Sequence, residues 1–337
     1  MSTAPLVSVL IPAYNAETTV ESALASVLRQ SLREIEIVLV DDGSTDSTVG
    51  IAEGMCRADE RLRLVRMAHG GIINALNSGI EYCRADLIAR MDADDISHPR
   101  RLEAQAQVML ESPDVSVCSC LVRMFPRRGL LGGLLRYEGW LNSVQTHEEI
   151  MRDMFVESPV AHPSVMLRRT ELVDIGGYEE HGWPEDYDLW LRYHAAGKRF
   201  CKVEETLVCW RQSEGRLTFT DGRYSLENFI RAKAHYISRM LAAESRPVAL
   251  WGAGMTGRRL LKHLTREGVM VKSVIDVDPR KIGSVLRGLP IVGTEAIDAG
   301  ERVFIVAAVG SARARELIRD HLTNRGFRET VDFICAA

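Results

Sequence analysis

The chain has 337 residues, 46% of them hydrophobic and 26% charged, with 42 basic against 46 acidic side chains and a formal net charge of −4. That length exceeds one ordinary core and predicts two domains. The near balance of charge excludes a global basic field for holding nucleic acid.

In chain order, residues 7–11 read as a first strand, too short to span a membrane, and no basic region with a long apolar run precedes it, so no signal peptide is expected. Residues 17–30 carry Val20, Leu24, Val27 and Leu28 on one helical face. Residues 36–40 form a second strand, followed by a turn-rich 41–47 and a short helix. Residues 62–66 and 87–91 are further strands, with a helix over 71–83 between them. Pro99 is placed to open a helix over 99–111, where its missing N–H costs nothing. Residues 115–125 return as a strand. Residues 127–141 (RRGLLGGLLRYEGWL) carry no decisive period. Either they form a helix burying its leucines, or Arg127, Arg128 and Arg136 with Leu130, Leu131, Leu134 and Leu135 make a peripheral contact with an anionic lipid surface. Thr146 with Glu149 is a capping-box pattern, predicting a helix start that runs to about residue 155. A strand over 164–167, a helix over 184–194 and one over 224–243 follow. The alternation of strands and helices predicts an α/β fold with a doubly wound, mostly parallel sheet.

A strand–glycine–helix pattern restarts after Ser245–Pro247, which sets expected domains of 1–245 and 246–337. The second contains Gly252-Ala-Gly254-Met-Thr-Gly257 after a strand, with Asp276 ending the next. This spacing fits a dinucleotide fingerprint in which the acid holds a ribose. NAD(P) or another nucleotide is therefore a candidate ligand of a small Rossmann-like domain. No Tyr-Lys or similar constellation for hydride transfer accompanies it, and packing or dimerisation alone is the other reading. The cysteines, at 56, 83, 118, 120, 201, 209 and 335, form no CxxC pair. They predict neither disulfides nor zinc, and fit a cytoplasmic protein.

Ligands of open parallel sheets bind at the carboxyl ends of strands. Here those ends carry Asp41-Asp42 and Asp92-Ala93-Asp94-Asp95. Gathered carboxylates repel one another unless a cation compensates, and a divalent ion bridging diphosphate oxygens would do so. The plainer reading, aspartates that cap turns, suits either motif alone better than both together.

The ordered set VSVLIPAYN, VDDGSTDST, HGGIINALNSGI, RMDADDISHPRRL, HPSVMLRR, GGY and PEDYDLWLR resembles the family-2 glycosyltransferases of GT-A fold over about residues 5–245. The resemblance implies an inverting, metal-dependent transfer of a sugar from a nucleotide-diphosphate donor, UDP- or dTDP-sugars favoured, to a glycan or lipid-linked acceptor in polysaccharide or glycoconjugate biosynthesis. It places Pro12, Ala13 and Tyr14 against the base and gives Asp42 the base's imide N–H. Asp92 falls near the ribose and Asp94 on Mg²⁺ or Mn²⁺. Asn77 matches a position near the donor sugar, or packs its helix. His162 is a late metal ligand or a structural loop residue, and Arg211 a contact to diphosphate or acceptor. Asp186, in the first turn of the helix opened by Pro184, matches the catalytic base. Such an enzyme would work in the cytoplasm or at the inner face of the membrane. Two other classes fit parts of the sequence. The intact acidic motifs oppose a non-catalytic sugar-nucleotide sensor, and the missing redox constellation opposes an NAD-dependent oxidoreductase.

Overall fold

Every residue of Val7–Ala13 is buried, and so is every residue of Ile35–Asp41. Runs apolar on both faces suit the centre of a parallel sheet covered on both sides. These runs are β1 and β2 of a computed structural model that describes residues 4–213, 215–297 and 303–337. The chain divides into two compact units. One comprises residues up to Ile150, Pro159–His181 and Glu185–Arg216; the other comprises Met151–Ser158, Gly182–Pro184 and Leu217–Ala337.

The first unit adds β3 (Leu62–Arg66), β4 (Leu87–Arg90), β5 (Ile96–Ser97), β6 (Val115–Phe125), β7 (Met166–Arg168) and β8 (Arg199–Arg211), in the order β3-β2-β1-β4-β7-β6-β8-β5. Strands β1 to β4 are mutually parallel, so their carboxyl ends share one edge; β7 runs antiparallel between β4 and β6. Helices α1 (Val20–Leu28), α2 (Thr48–Ala58), α3 (Ile72–Tyr82) and α4 (Arg101–Glu111) connect them. Helix α4 starts two residues after Pro99, which instead sits in the turn before it. The ambiguous glycine-leucine stretch contains α5 (Gly132–Ser143), where Leu141 is buried with Tyr137 and Trp140 packed beside it, while Leu131 and Leu135 stay exposed. Helix α6 (His147–Asp153) opens with the expected capping box: Glu149 N–H donates to Thr146 Oγ1 (3.2 Å) and Thr146 N–H to Glu149 Oε2 (3.0 Å). Helices α7 (Arg169–Asp174) and α8 (Glu185–Ala195) complete the unit.

The second unit holds α9 (Leu217–Thr220), α10 (Leu226–Leu241), β9 (Val248–Trp251), α11 (Met255–Arg266), β10 (Val271–Ile275), β11 (Val285–Leu286), β12 (Leu289–Val292), β13 (Phe304–Ala307), α12 (Ala312–Thr323) and β14 (Phe333–Cys335). Its sheet runs β11-β12-β10-β9-β13-β14, parallel except for the β11–β12 hairpin, which is the Rossmann-like arrangement. Residues 217–244, expected with the first domain, group here because α10 packs on α11. No described helix is long and apolar enough to cross a membrane.

Glycine spacing controls how closely helices approach the first sheet. An added Cβ at Gly79 of α3 would fall inside van der Waals contact of Leu10 Cδ1 and Val40 Cγ2, whereas one at Gly50 of α2 meets nothing within 4 Å. Gly79→Ala is therefore expected to destabilise by about 1–3 kcal/mol through overpacking. Gly50→Ala should stabilise by about 0.5–1 kcal/mol. Urea unfolding of the two variants checks the opposite signs.

Candidate active site

The shared carboxyl edge brings together Pro12, Ala13 and Tyr14 after β1, Asp41 and Asp42 after β2, and Asp92, Asp94 and Asp95 after β4. In register, Ala13 pairs with Asp41 and Leu10 with Arg90. Tyr14 is half exposed, and its ring stacks on His69 with centroids 4.3 Å apart. Asp42 is buried: its carboxylate accepts the Gly70 N–H (2.8 Å) and the Gly71 N–H (2.9 Å), and His69 Nδ1 lies 2.8 Å from its Oδ2. Gly43, at φ +75°, allows this approach, since a Cβ there would sit 2.7 Å from the His69 nitrogen. Asp42 thus ties the HGG loop to the end of β2. Its neighbour Asp41 uses Oδ2 for the Ser44 N–H (3.2 Å), while its buried Oδ1 has no partner.

Carboxylate oxygens of Asp92, Asp94 and Asp95 all lie within 4.8 Å of one another, the one such cluster among the described residues. Burial and then the neighbouring Asp92 push Asp94 up to about 6, despite Arg216 and Arg211 pulling it down. Burial, Asp92 and Asp94 raise Asp95 well above the usual carboxylate range. Asp95 Oδ1 accepts the Arg211 N–H (2.6 Å), its buried Oδ2 has no partner, and Arg211 Nε donates to the Asp94 carbonyl (2.6 Å). Arg211 is therefore fixed to the acidic loop. Three hard oxygen donors, one with an orphaned oxygen and two held up in pKa first by burial and then by neighbouring carboxylates, are a donor set that fits a divalent cation.

A buried arginine, absent from the sequence reading, organises this edge. Arg90 ends β4 and donates through NH2 to Asp92 Oδ1 at 2.7 Å, while Nε and NH1 have no partner. Burial opposes its charge, but Asp92, Tyr178 and Glu185 outweigh that and raise its pKa. The signal was present: LIAR places a charge inside a strand whose every residue is buried. Behind it, fully buried Arg101 donates to the Arg90 carbonyl (2.8 Å) and the Val165 carbonyl (3.3 Å). Gln105 holds Arg101 (3.0 Å) and also donates to the Cys118 and Ser164 carbonyls. Helix α4 thereby fixes the strand end from which the acidic loop departs.

The first turn of α8 offers three carboxylates with different surroundings. Glu185 and Asp188 are buried, and Asp188 is bound by Arg192 Nε at 2.8 Å. Asp186 alone is partly exposed. Its pKa is raised, first by burial and also by Asp92, against the lowering effect of the Tyr187 N–H and Arg90. Asp186 therefore lies within electrostatic reach of the β4 loop. His162 does not join the acidic cluster. Its Nε2 is 2.7 Å from the Tyr178 hydroxyl, and burial together with Arg90 holds its pKa well below normal. Asn77 clips the Tyr178 backbone, donating to its carbonyl (2.8 Å) and accepting its N–H (2.9 Å).

In the second unit, Gly252 (φ +126°) leaves room for the Ala308 carbonyl, which a Cβ would approach to 2.7 Å, and Gly257 lets α11 lie against the Gly252 carbonyl. Asp276 is buried and serves the loop itself. It accepts the Ala253 N–H (2.8 Å), the Asp278 N–H (2.9 Å) and Lys281 Nζ (3.0 Å). Both oxygens expected to hold a ribose are thus engaged.

The family model described as glycosyl transferase family 2 matches residues 8–176, and the model of a CoA binding domain matches residues 243–323. The putative glycosyltransferase EpsE of Bacillus subtilis is 30% identical over 235 residues, covering 68% of this chain and 81% of that protein. The UDP-Gal:alpha-D-GlcNAc-diphosphoundecaprenol beta-1,3-galactosyltransferase of Escherichia coli is 27% identical, covering 69% and 83%. Among solved structures, S. aureus TarS 1–349 in complex with UDP-GlcNAc superposes with a TM-score of 0.57 at 19% identity, over 79% of this chain and 73% of that one. The mannosyltransferase PcManGT from Pyrobaculum calidifontis, in complex with GDP-Man and Mn²⁺, gives a TM-score of 0.50 at 16% identity, over 97% and 82%. At these identities the likeness is one of fold, and the fold is GT-A.

The contrast within α8 yields a stability prediction. A carboxylate whose folded pKa is raised costs stability once pH rises through that pKa, so Asp186→Asn should hold or raise the melting temperature at pH 7. Asp188→Ala removes the nearer acid of Arg192, leaving it Glu179 at 3.7 Å, and should cost about 3 kcal/mol. Thermal unfolding of both variants reads the difference.

Proposed function

The chain belongs to glycosyl transferase family 2, and from that premise we propose an inverting, metal-dependent sugar transfer from a nucleoside diphosphate to a lipid-linked or glycan hydroxyl. The observation that carries this reading is the placement of Asp186, partly exposed, within electrostatic reach of the Asp92–Asp94–Asp95 cluster on one sheet edge. The donor's base lies against Pro12, Ala13 and Tyr14. Asp42, which also holds the HGG loop, is the acceptor for an imide N–H of the base, a contact that favours UDP or dTDP. Asp92, kept in place by Arg90, faces the ribose. Asp94, with Asp95, would hold Mg²⁺ or Mn²⁺, which when bound offsets the charge of the departing diphosphate; the Mn²⁺ complex of PcManGT agrees with that chemistry.

The acceptor hydroxyl hydrogen-bonds to Asp186, which takes its proton as the oxygen bonds to the anomeric carbon. The bond from that carbon to the diphosphate oxygen breaks, and the nucleoside diphosphate leaves with the electron pair. A single displacement from the opposite face inverts the configuration. Arg90 matters to this step because its charge favours an ionised Asp186, which burial and Asp92 disfavour. The lipid-diphosphate acceptor in the name of the E. coli galactosyltransferase supports a lipid-linked acceptor here.

The test compares Asp186→Asn with Glu185→Gln, using release of UDP from a panel of UDP-sugars with Mn²⁺ and UDP affinity by calorimetry. Asp186→Asn is expected to lower turnover by about a hundred- to ten-thousand-fold and to leave UDP affinity within about twofold. Wild-type turnover in Asp186→Asn, with loss in Glu185→Gln, would place the base on the other carboxylate.

A further inference from the structure

Strands β6 and β8 set two cysteines side by side. In their parallel ladder Cys118 lies directly opposite Cys201, and both side chains pack into the core cluster that holds Leu102, Ala106 and Met109 of α4. Neighbouring strands run about 4.8 Å apart, inside the window of roughly 4.4–6.8 Å over which a disulfide joins two Cα atoms. The two thiols are hydrogen-bonded to each other, and all seven cysteines of the chain are free. A disulfide needs its Cβ atoms about 3.8 Å apart, so the strands must yield slightly to form one. The ladder has play for that: its register shifts on either side of Cys118, between Val115 and Val117 and between Cys120 and Leu121.

The two thiols are unequal. Cys118 is fully buried and its main-chain carbonyl accepts Gln105 Nε2 at 2.7 Å, whereas Cys201 is half-buried. The hydrogen bond from Cys118 pulls the Cys201 thiol below its ordinary range, with help from Arg199 and against burial and Asp114. Arg199 stands two residues earlier in β8 and therefore on the same face. The other six thiols are all pushed up: Cys118 first by its bond to Cys201, and Cys56, Cys83, Cys120, Cys209 and Cys335 first by burial. Exposure alone would make Cys209 the reactive thiol. Thiolate character selects Cys201 instead.

We propose that Cys201 and Cys118 form a site of reversible oxidation by hydroperoxides, with Cys201 the attacking sulfur and Cys118 the resolving one. The Cys201 thiolate bonds to one peroxide oxygen, the O–O bond breaks, and hydroxide or alkoxide leaves with the electron pair. The sulfur is thereby oxidised to a sulfenic acid and the peroxide reduced. Cys118 then gives up its proton as its sulfur attacks the Cys201 sulfur; the S–O bond breaks, and the departing hydroxide takes a proton to become water. In sum, two thiols and one hydroperoxide yield one disulfide, one water, and a second water or an alcohol. A dithiol reverses the step by exchange. Neither sulfur belongs to the acidic edge, so the site stands apart from the transfer chemistry.

The test treats the reduced full chain with hydrogen peroxide, alone or with dimedone to trap sulfenic acid, then alkylates the remaining thiols and maps the peptides by mass spectrometry. Wild type, Cys201→Ala and Cys118→Ala are compared. In the wild type the peptides holding Cys118 and Cys201 should become linked with loss of two hydrogens, and separate again in dithiothreitol. Cys201 should react at least about tenfold faster than Cys209. Without a resolving thiol, Cys201 in Cys118→Ala should take up dimedone at least about fivefold more than in the wild type. In Cys201→Ala, Cys118 should stay reduced. Should Cys118→Ala fail to fold, the wild-type map and Cys201→Ala decide, since residue 201 is only half-buried. Oxidation of Cys209 with Cys201 left reduced, oxidation of Cys118 in Cys201→Ala, or equal dimedone labelling of Cys201 with and without Cys118 would each overturn the proposal.

Discussion

Asp92, Asp94 and Asp95 bring carboxylate oxygens within 4.8 Å of one another at the end of a buried strand, and the first unit is built around the cost of that repulsion. Arg90 offsets part of it through Asp92, and the Arg211 N–H offsets part through Asp95. Burial adds to what remains, and together they raise the pKa values of Asp94 and Asp95, while one oxygen of Asp95 has no donor. A loop under such tension would move unless held. Arg101 and Gln105 hold it from α4, β5 pairs with β8, and Gln30 of the α1 carboxyl end donates to Ser97 Oγ and the His98 carbonyl just beyond. These contacts set the geometry of the acidic loop before any ligand arrives.

Much of this was legible in the sequence wherever the governing physics is local. Strands β3 and β6 run between the same residues as read from their apolar runs, and the capping box at Thr146 and Glu149 forms as its spacing requires. The acidic motifs lie at strand ends because parallel strands that begin together end together. What escaped was non-local. The reach of Arg90 from β4 towards Asp92 and Glu185 depends on where α8 folds back, and no periodicity records that. Asn77 joins Tyr178 across 101 residues of chain, so its structural part was invisible beside its neighbours. Helix α4 starts after Pro99 because Arg101 N–H bonds the His98 carbonyl in a turn whose residues are tied to α1. Helix α10 groups with the second unit because its apolar face meets α11, a partner that lies after the apparent linker.

The two units gather opposite charge. The first gathers carboxylates, which repel a diphosphate unless a divalent cation stands between them. The second gathers arginine and lysine around a glycine loop. The Rossmann-like pattern is common to many functions, and the fold alone does not choose among them. The side chains here are engaged locally: Asp276 accepts from its own loop and from Lys281, and Arg258 donates to the Ala253 carbonyl.

The claim on which the account turns is that the β4 acidic edge binds nucleoside diphosphate only with a divalent cation. Calorimetric titration of UDP in Mn²⁺ and in EDTA, for wild type and Asp94→Asn, tests it most directly. The account predicts binding in Mn²⁺, its loss in EDTA, and about a tenfold weakening in Asp94→Asn, or roughly 1.4 kcal/mol. Equal UDP affinity in metal and chelator, unchanged by Asp94→Asn, would contradict it.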